Sequence, residues 1–294
     1  MRGQQGYAQG HLRNNAMQPD KRGRVHRGCP LCRRDNSDQQ TLDPDIEWGL
    51  TACASCGLVY LQIVPDGQFH EPSRAWQQSW QDEKDRRHAR EPVLHRLWAV
   101  VTERPQWTKR DKLTRFIRRY VGRGRVLDIG CGTGHRAARW PRTVVPYGTD
   151  VDAGAIARAD KLFQALGGYA VCAPAIEGVA RFSDGFFDGV VMRAYLEHET
   201  SPLEVLLETR PKLKADGTLI VKVPNYGSVN RRIRGSRWCG YRFPDHVNYF
   251  TPRTLTRLLD LGGYSVVQFA LYNRLPISDN MWLVAKPKHG PATG

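Results

Sequence analysis

The sequence predicts an α/β fold: a seven-stranded, mainly parallel sheet preceded by a small four-cysteine module and a helical stretch. Three observations carry that prediction. From Arg123 onward, short apolar segments alternate with helical ones, the pattern of a parallel sheet with covering helices. The first apolar segment runs into a glycine-rich turn, "VLDIGCGTG". Far upstream, two C-x2-C pairs flank a short, loop-rich stretch.

Taken in order, residues 1–26 read as a disordered basic tail, because "MRGQQGYAQGHLRNNAMQPDKRGR" has no apolar run of signal-peptide type. Residues 27–64 hold the cysteine pairs. Residues 65–122 are helix-biased and aromatic, with Trp76, Trp80, Trp98 and Trp107, and are expected to form a helical linker or lid. The α/β domain spans 123–288, and 289–294 form a frayed end. A composition of 40% hydrophobic and 25% charged residues excludes the disordered and collagen-like classes. No run of 18 apolar residues occurs, so no spanning helix is expected. A cytoplasmic location is therefore expected.

In "KRDKLTRFIRRYV", Leu113, Phe116, Ile117 and Tyr120 fall at helical spacing beneath a basic face, and glycines at 122 and 124 end the helix. Strands are expected at "RVLDIG", "VVPYGTD", "YAVCA", "FFDGVVM", "GTLIVKVP", "YSVVQFALY" and "MWLVAKP". Helices are expected near 153–166, 201–213 and 252–261. Thr251 serves as the N-cap of the last, with Pro252 in the first helical position.

The net charge is +15, concentrated in the tail, in "KRDKLTRFIRRYVGRGR" and in "RRIRGSRWCGYR", which has five arginines and no acid. Such a field attracts polyanions, whether nucleic acid, nucleotide sugars or anionic surfaces. It speaks to partners and not to fold.

Of seven cysteines, Cys131, Cys172 and Cys239 are scattered, while Cys29, Cys32, Cys53 and Cys56 form two pairs separated by 20 residues. That spacing fits a tetrahedral four-thiolate zinc site in a reducing compartment better than a disulfide framework. Four thiolates leave zinc no open position, so the expected metal is structural.

Gly130, Gly132 and Gly134 supply the close backbone approach that a bound nucleotide needs. Asp150 ends the next strand, 20 residues after Gly130, where a carboxylate accepts both hydroxyls of a ribose. The loop reads G-C-G-T-G and not the dinucleotide G-x-G-x-x-G. With "GTDVD", with "FFDGVVMRAYLEHETSPLEVLLETRPKLKADGTLIVKVPN" and with "YFTPRTLTRLLDLGGYSVV", it resembles the class I S-adenosylmethionine-dependent methyltransferases over roughly residues 110–288.

That resemblance implies a Rossmann-like sheet and S-adenosylmethionine as cofactor. It assigns Asp128 to orienting the loop or the methionine end, and Gly130, Cys131, Gly132 and Gly134 to lining it. Asp150 is assigned to the ribose hydroxyls and Val151 to the adenine. Backbone at Met192 and Arg193 is assigned to the methionine moiety. "YAVCAPAIEG" departs from the family, since Cys172, Ala173 and Pro174 stand where many members carry an acid for adenine and Glu177 is the nearest one.

Methyl transfer is an in-line displacement that needs alignment and exclusion of water, and a hydroxyl or amide nucleophile also needs a base. His246 in "YRFPDHVNYF" and His198 in "LEH" are the candidate catalytic residues. His246 either takes the proton or only satisfies a backbone group in a loop packed by Phe243 and Phe250, and Glu197 offers His198 a hydrogen-bond partner. The four-cysteine head followed by this domain resembles bacterial methyltransferases of polysaccharide or secondary biosynthesis, which implies a small-molecule or sugar substrate. The alternatives are a zinc-headed RNA methyltransferase, which the charge favours, and a non-enzymatic partner-binding protein on the same fold. Against RNA, the strand is followed by "MRAYLEH" and not by an N-P-P-Y signature.

Overall fold

The computed structural model describes residues 19–43, 45–65, 111–269 and 276–288. The four tryptophans of the expected lid and the final residues lie outside these. The elements run β1 (Arg24–His26), β2 (Leu50–Ala52), β3 (Val59–Leu61), β4 (Ile63–Pro65), α1 (Lys112–Tyr120), β5 (Gly124–Ile129), β6 (Val144–Asp150), α2 (Ala153–Gln164), β7 (Ala170–Cys172) and α3 (Ala175–Ala180). They continue with β8 (Phe187–Arg193), α4 (Pro202–Lys212), β9 (Leu213–Pro224), α5 (Val229–Arg234), β10 (Asn248–Tyr249), α6 (Pro252–Leu261), β11 (Tyr264–Phe269) and β12 (Asn280–Pro287).

Seven strands form one sheet in the order β11-β12-β9-β8-β5-β6-β7. β5 pairs in parallel with both β6 and β8, and the chain direction across the sheet reverses there. β12 and β11 are antiparallel additions at one edge. Along β8, Val190 and Met192 enter one core cluster while Val191 enters the other, so both faces of the central strand are covered. The methyltransferase-like sheet expected from the sequence is therefore present, with its strand-order reversal at β5, the place where open α/β sheets bind ligands.

Local chemistry explains the helix starts. Asp111 caps α1 by accepting from the Leu113 amide at 3.1 Å, and Leu113, Phe116 and Ile117 are the buried stripe. Thr251 and Thr254 form a reciprocal capping box on α6 with Pro252 in its first turn, as expected.

The N-terminal module begins before the expected residue 27. Arg24–His26 form β1 and pair antiparallel with β4, so the last residues assigned to the tail belong to the fold. Periodicity could not find a three-residue strand whose partner lies so far along the chain. β3 pairs on one side with β2 and on the other with β10, which comes from the insertion after β9. Module and insertion thus share a three-stranded sheet. They also share a core, in which Leu50, Val59, Leu61 and Val64 pack with Trp238, Val247 and Tyr249. Among the described residues, no helix is long and apolar enough to cross a membrane.

Candidate functional site

The glycine loop lies at the carboxyl ends of β5 and β6. Gly132 has φ +53°, and a Cβ built there meets nothing within 4 Å, so the loop turns with its backbone open to space. A Cβ on Gly130 would strike Tyr195, and one on Gly134 would strike Phe163 of α2, so those two glycines permit close packing. The side chain of Cys131 is buried in the core beneath the loop, which leaves only its backbone to line a ligand.

Asp150 is held at this loop. Its Oδ2 accepts from the Gly132 amide at 2.9 Å and its Oδ1 from the Asp152 amide at 3.0 Å. Each oxygen keeps a further lone pair, so the carboxylate is positioned and still able to accept from a diol. Val151 follows it, half-buried, and its carbonyl receives the Cys172 thiol at 3.7 Å. His135 is exposed, its Nδ1 at 3.2 Å from the Thr133 hydroxyl, and Glu177 is exposed on α3.

Asp128 is 6% exposed, and its register partners are Gly148 on β6 and Val191 on β8. Burial pushes its carboxyl up to about 7, against the pull of Arg193 and Arg136. Met192 has its side chain fully buried, so only its backbone can serve a ligand. Arg193 ends β8 beside Lys222 of β9, its register partner. Burial, with neighbouring Arg136, holds Arg193 below its usual pKa, and burial lowers Lys222 against the pull of Glu197. Directly after Arg193, Ala194 adopts φ +52°, a conformation costing a non-glycine residue on the order of 1 kcal/mol. That turn lets the chain reverse into "YLEH" at the sheet edge.

The two histidines meet there. The rings of His198 and His246 stand edge to face, 4.6 Å between centroids. His198 Nδ1 lies 2.9 Å from the Asp245 carbonyl and His246 Nδ1 lies 2.8 Å from the Gly240 carbonyl. A carbonyl only accepts, so each Nδ1 carries the hydrogen and each Nε2 presents a lone pair. Burial lowers the pKa of both, to about 4 for His198 and well below the usual histidine value for His246, so both rings are neutral at pH 7. The expected Glu197–His198 hydrogen bond is replaced by the Asp245 carbonyl. Glu197 is 1% exposed, and its Oε2 has no hydrogen-bond partner among the described residues. Burial raises its pKa while Lys222, Arg242 and Arg193 oppose that shift.

Tyr241 and Tyr249, near His246 in the sequence, join Tyr226, Trp238 and Phe243 in a cluster of rings with Tyr241–Tyr249 centroids 5.4 Å apart. Sequence reasoning passed over Lys222, although a lysine inside "TLIVKVP" was the visible signal. It also passed over Arg27, which carried none.

In the module, Cys29 and Cys56 sulfurs lie 3.5 Å apart, Cys32 and Cys53 sulfurs 3.4 Å apart, and all four lie within 4.8 Å of one another. A tetrahedral ion with bonds of about 2.3 Å sets sulfur–sulfur edges of about 3.8 Å. The four thiols therefore already have the arrangement a four-coordinate metal asks for, and none is in a disulfide. The Cys29 thiol's hydrogen bond holds Cys56 low, to about 5, and backbone amides at Leu31 and Leu58 also point at sulfurs of the set.

Comparison with known proteins places this geometry. Residues 102–269, more than half of the chain, match the family model described as a methyltransferase domain. No curated protein matches the chain. Among solved structures, an S-adenosylmethionine-dependent methyltransferase from Archaeoglobus fulgidus is similar at 21% identity and a TM-score of 0.47, over 59% of this chain and 92% of that one. The PH0226 protein from Pyrococcus horikoshii is similar at 18% identity and a TM-score of 0.48, over 60% of this chain and 88% of that one.

Proposed function

This chain belongs to the methyltransferase domain family, and on that premise we propose that it transfers the methyl group of S-adenosylmethionine to a small-molecule or sugar acceptor. The observation that carries the reading is the joint placement of Asp128, the glycine loop and Asp150 at the strand-order reversal, with Glu197, His198 and His246 clustered at the turn after neighbouring β8. When bound, S-adenosylmethionine supplies an electrophilic methyl group on a sulfonium.

The chain's residues divide the remaining work. Asp150 accepts the ribose hydroxyls with lone pairs its two amide contacts leave free. Backbone of the loop and of Met192 and Arg193 lines the methionine end, and Asp128 supplies a carboxyl there. Val151 packs against the base. At the acceptor side, the Nε2 atoms of His198 and His246 are the Lewis-basic positions, and the burial that lowers both pKa values keeps competing water from them. The ring cluster around Tyr241 and Tyr249 belongs to the core shared by module and insertion and braces the segment that carries His246. The four cysteines hold a structural Zn2+, which fits their sulfur spacing and their lack of an open coordination position.

A second reading, methylation of RNA, is favoured by Arg231, Arg232 and Arg234 on α5, a helix with no buried residue. Calorimetry on the full chain separates the readings. S-adenosylmethionine is expected to bind wild type and to lose on the order of 10- to 100-fold in affinity in Asp150→Ala, where charge-assisted hydrogen bonds disappear. No binding to wild type overturns the enzyme reading. Structured RNA bound tightly, with a steep loss on adding salt, overturns the small-acceptor reading.

A further inference from the structure

The same cluster that faces the acceptor has the form of a metal site. Glu197, His198 and His246 come from two segments, the turn after β8 and the insertion after β9, separated by some fifty residues of chain. A ligand atom from each lies within 4.8 Å of those of the other two. Both imidazoles have their Nδ1–H tied to a backbone carbonyl, Asp245 for one and Gly240 for the other, which fixes the ring and leaves Nε2 with its lone pair. That outer contact is the usual companion of a metal-bound histidine. The third donor, Oε2 of Glu197, is buried and lacks a partner among the described residues, a costly state for a carboxylate unless something else binds it.

We propose that Glu197, His198 and His246 bind one divalent transition-metal cation, separate from the metal on the four cysteines. Ions of this class bind nitrogen and carboxylate oxygen at about 2.1 Å, so neighbouring donors around one lie roughly 3 Å apart. Contracting the present spacing of up to 4.8 Å to that value falls to the Glu197 side chain, whose Oε2 has no hydrogen-bond partner among the described residues. The surroundings select the ion. Lys222, Arg242 and Arg193 also act on Glu197, so a hard ion such as Mg2+ or Ca2+ finds one contested carboxylate among three cationic side chains. Two imidazole nitrogens favour zinc, iron or a similar ion instead. Three protein donors leave coordination positions open, where an acceptor oxygen is polarised. That use rests on the methyl-transfer reading, whereas the binding itself does not.

The test counts metal on the full-length protein. Wild type, Glu197→Gln and His246→Ala are equilibrated with excess Co2+, desalted, and measured for total transition metal per chain and for absorption. Wild type is expected to carry one ion more than either variant. The extra ion gives weak ligand-field bands without the thiolate charge transfer that marks the cysteine site. The affinity lost in the variants is expected to exceed the roughly 10- to 100-fold that removing an outer partner costs. Equal metal in all three proteins, or an extra ion that survives both substitutions, overturns the proposal. Should His246→Ala fail to fold, Glu197→Gln keeps the side-chain shape and decides on the same readout. S-adenosylmethionine affinity, measured on the same samples, reports on the cofactor site separately. An extra metal ion in a chain that binds no cofactor leaves this site standing and removes the methyl-transfer reading.

Discussion

Arg27 Nη2 donates to the carbonyl of Val247 at 2.6 Å, joining the cysteine module to the residue next to His246. The same guanidinium donates to Leu61 O at 2.8 Å, Thr200 O at 3.0 Å and Asn248 Oδ1 at 3.0 Å. One side chain thus ties β3 to β10 and to the segment after the "LEH" turn. Burial brings its pKa down only to about 10, so it stays charged at neutral pH. Its planar fork serves four acceptors that no lysine geometry matches.

Arg27→Met is therefore expected to lower stability by about 3 kcal/mol, since several charge-assisted hydrogen bonds go and their carbonyls stay covered. Arg27→Lys is expected to recover little of it. Denaturant unfolding measures both. A loss under about 1 kcal/mol in Arg27→Met would mean that the module is held by its strand pairing alone.

Removing the metal from the cysteines is expected to loosen the module before the large sheet. Cys29, Leu31, Cys53, Cys56, Leu58 and Tyr60 join the main core cluster, so the four sulfurs stand between the module and that core. A module this small depends on its metal for folding. Hydrogen exchange after chelation should show the amides of β3 and β10 losing protection while those of β5 and β8 keep it. Unchanged β3 protection in metal-depleted protein would contradict the assignment.

Cofactor affinity is expected to rise with pH through about 7. Asp128 has its carboxyl raised to about 7 by burial, so it is protonated below that pH and anionic above it. The anion is the form that attracts a cationic cofactor, and binding should release a proton near pH 7. Calorimetry in buffers of differing ionisation enthalpy reads that proton directly. Asp128→Asn should abolish both the slope and the release, and a persistent slope in that variant would assign the titration to another group. The stability linkage has the opposite sign. A carboxyl raised in the folded state loses stability as pH rises from about 4 toward 7, because the unfolded chain gives up its proton first.

Much of the catalytic sheet was legible because its signals are local. Buried parallel strands read as short apolar runs, and the glycines of "GCGTG" answer to backbone geometry within a few residues. The Cys-x2-Cys pairs were legible for the same reason, since each knuckle is a single turn. Glu197 was visible as a neighbour of His198, yet its actual relation to that histidine was misjudged. The side chain was expected to bond to its neighbour in sequence, and the chain instead delivered the Asp245 carbonyl from 47 residues away.

The sequence alone therefore determined the sheet, its nucleotide-type loop, the membership of the cysteine set and the two histidines worth watching. The periods of strand and helix and the stereochemistry of glycine act over a handful of residues. Only the tertiary structure decided that β10 completes a sheet with β3, that Arg27 bridges module and insertion, and that Glu197, His198 and His246 share one centre. Those relations depend on where distant segments meet once the core is packed. Burial then shifts the pKa of these groups and leaves Glu197 Oε2 without a hydrogen-bond partner among the described residues, and neither effect exists in the extended chain.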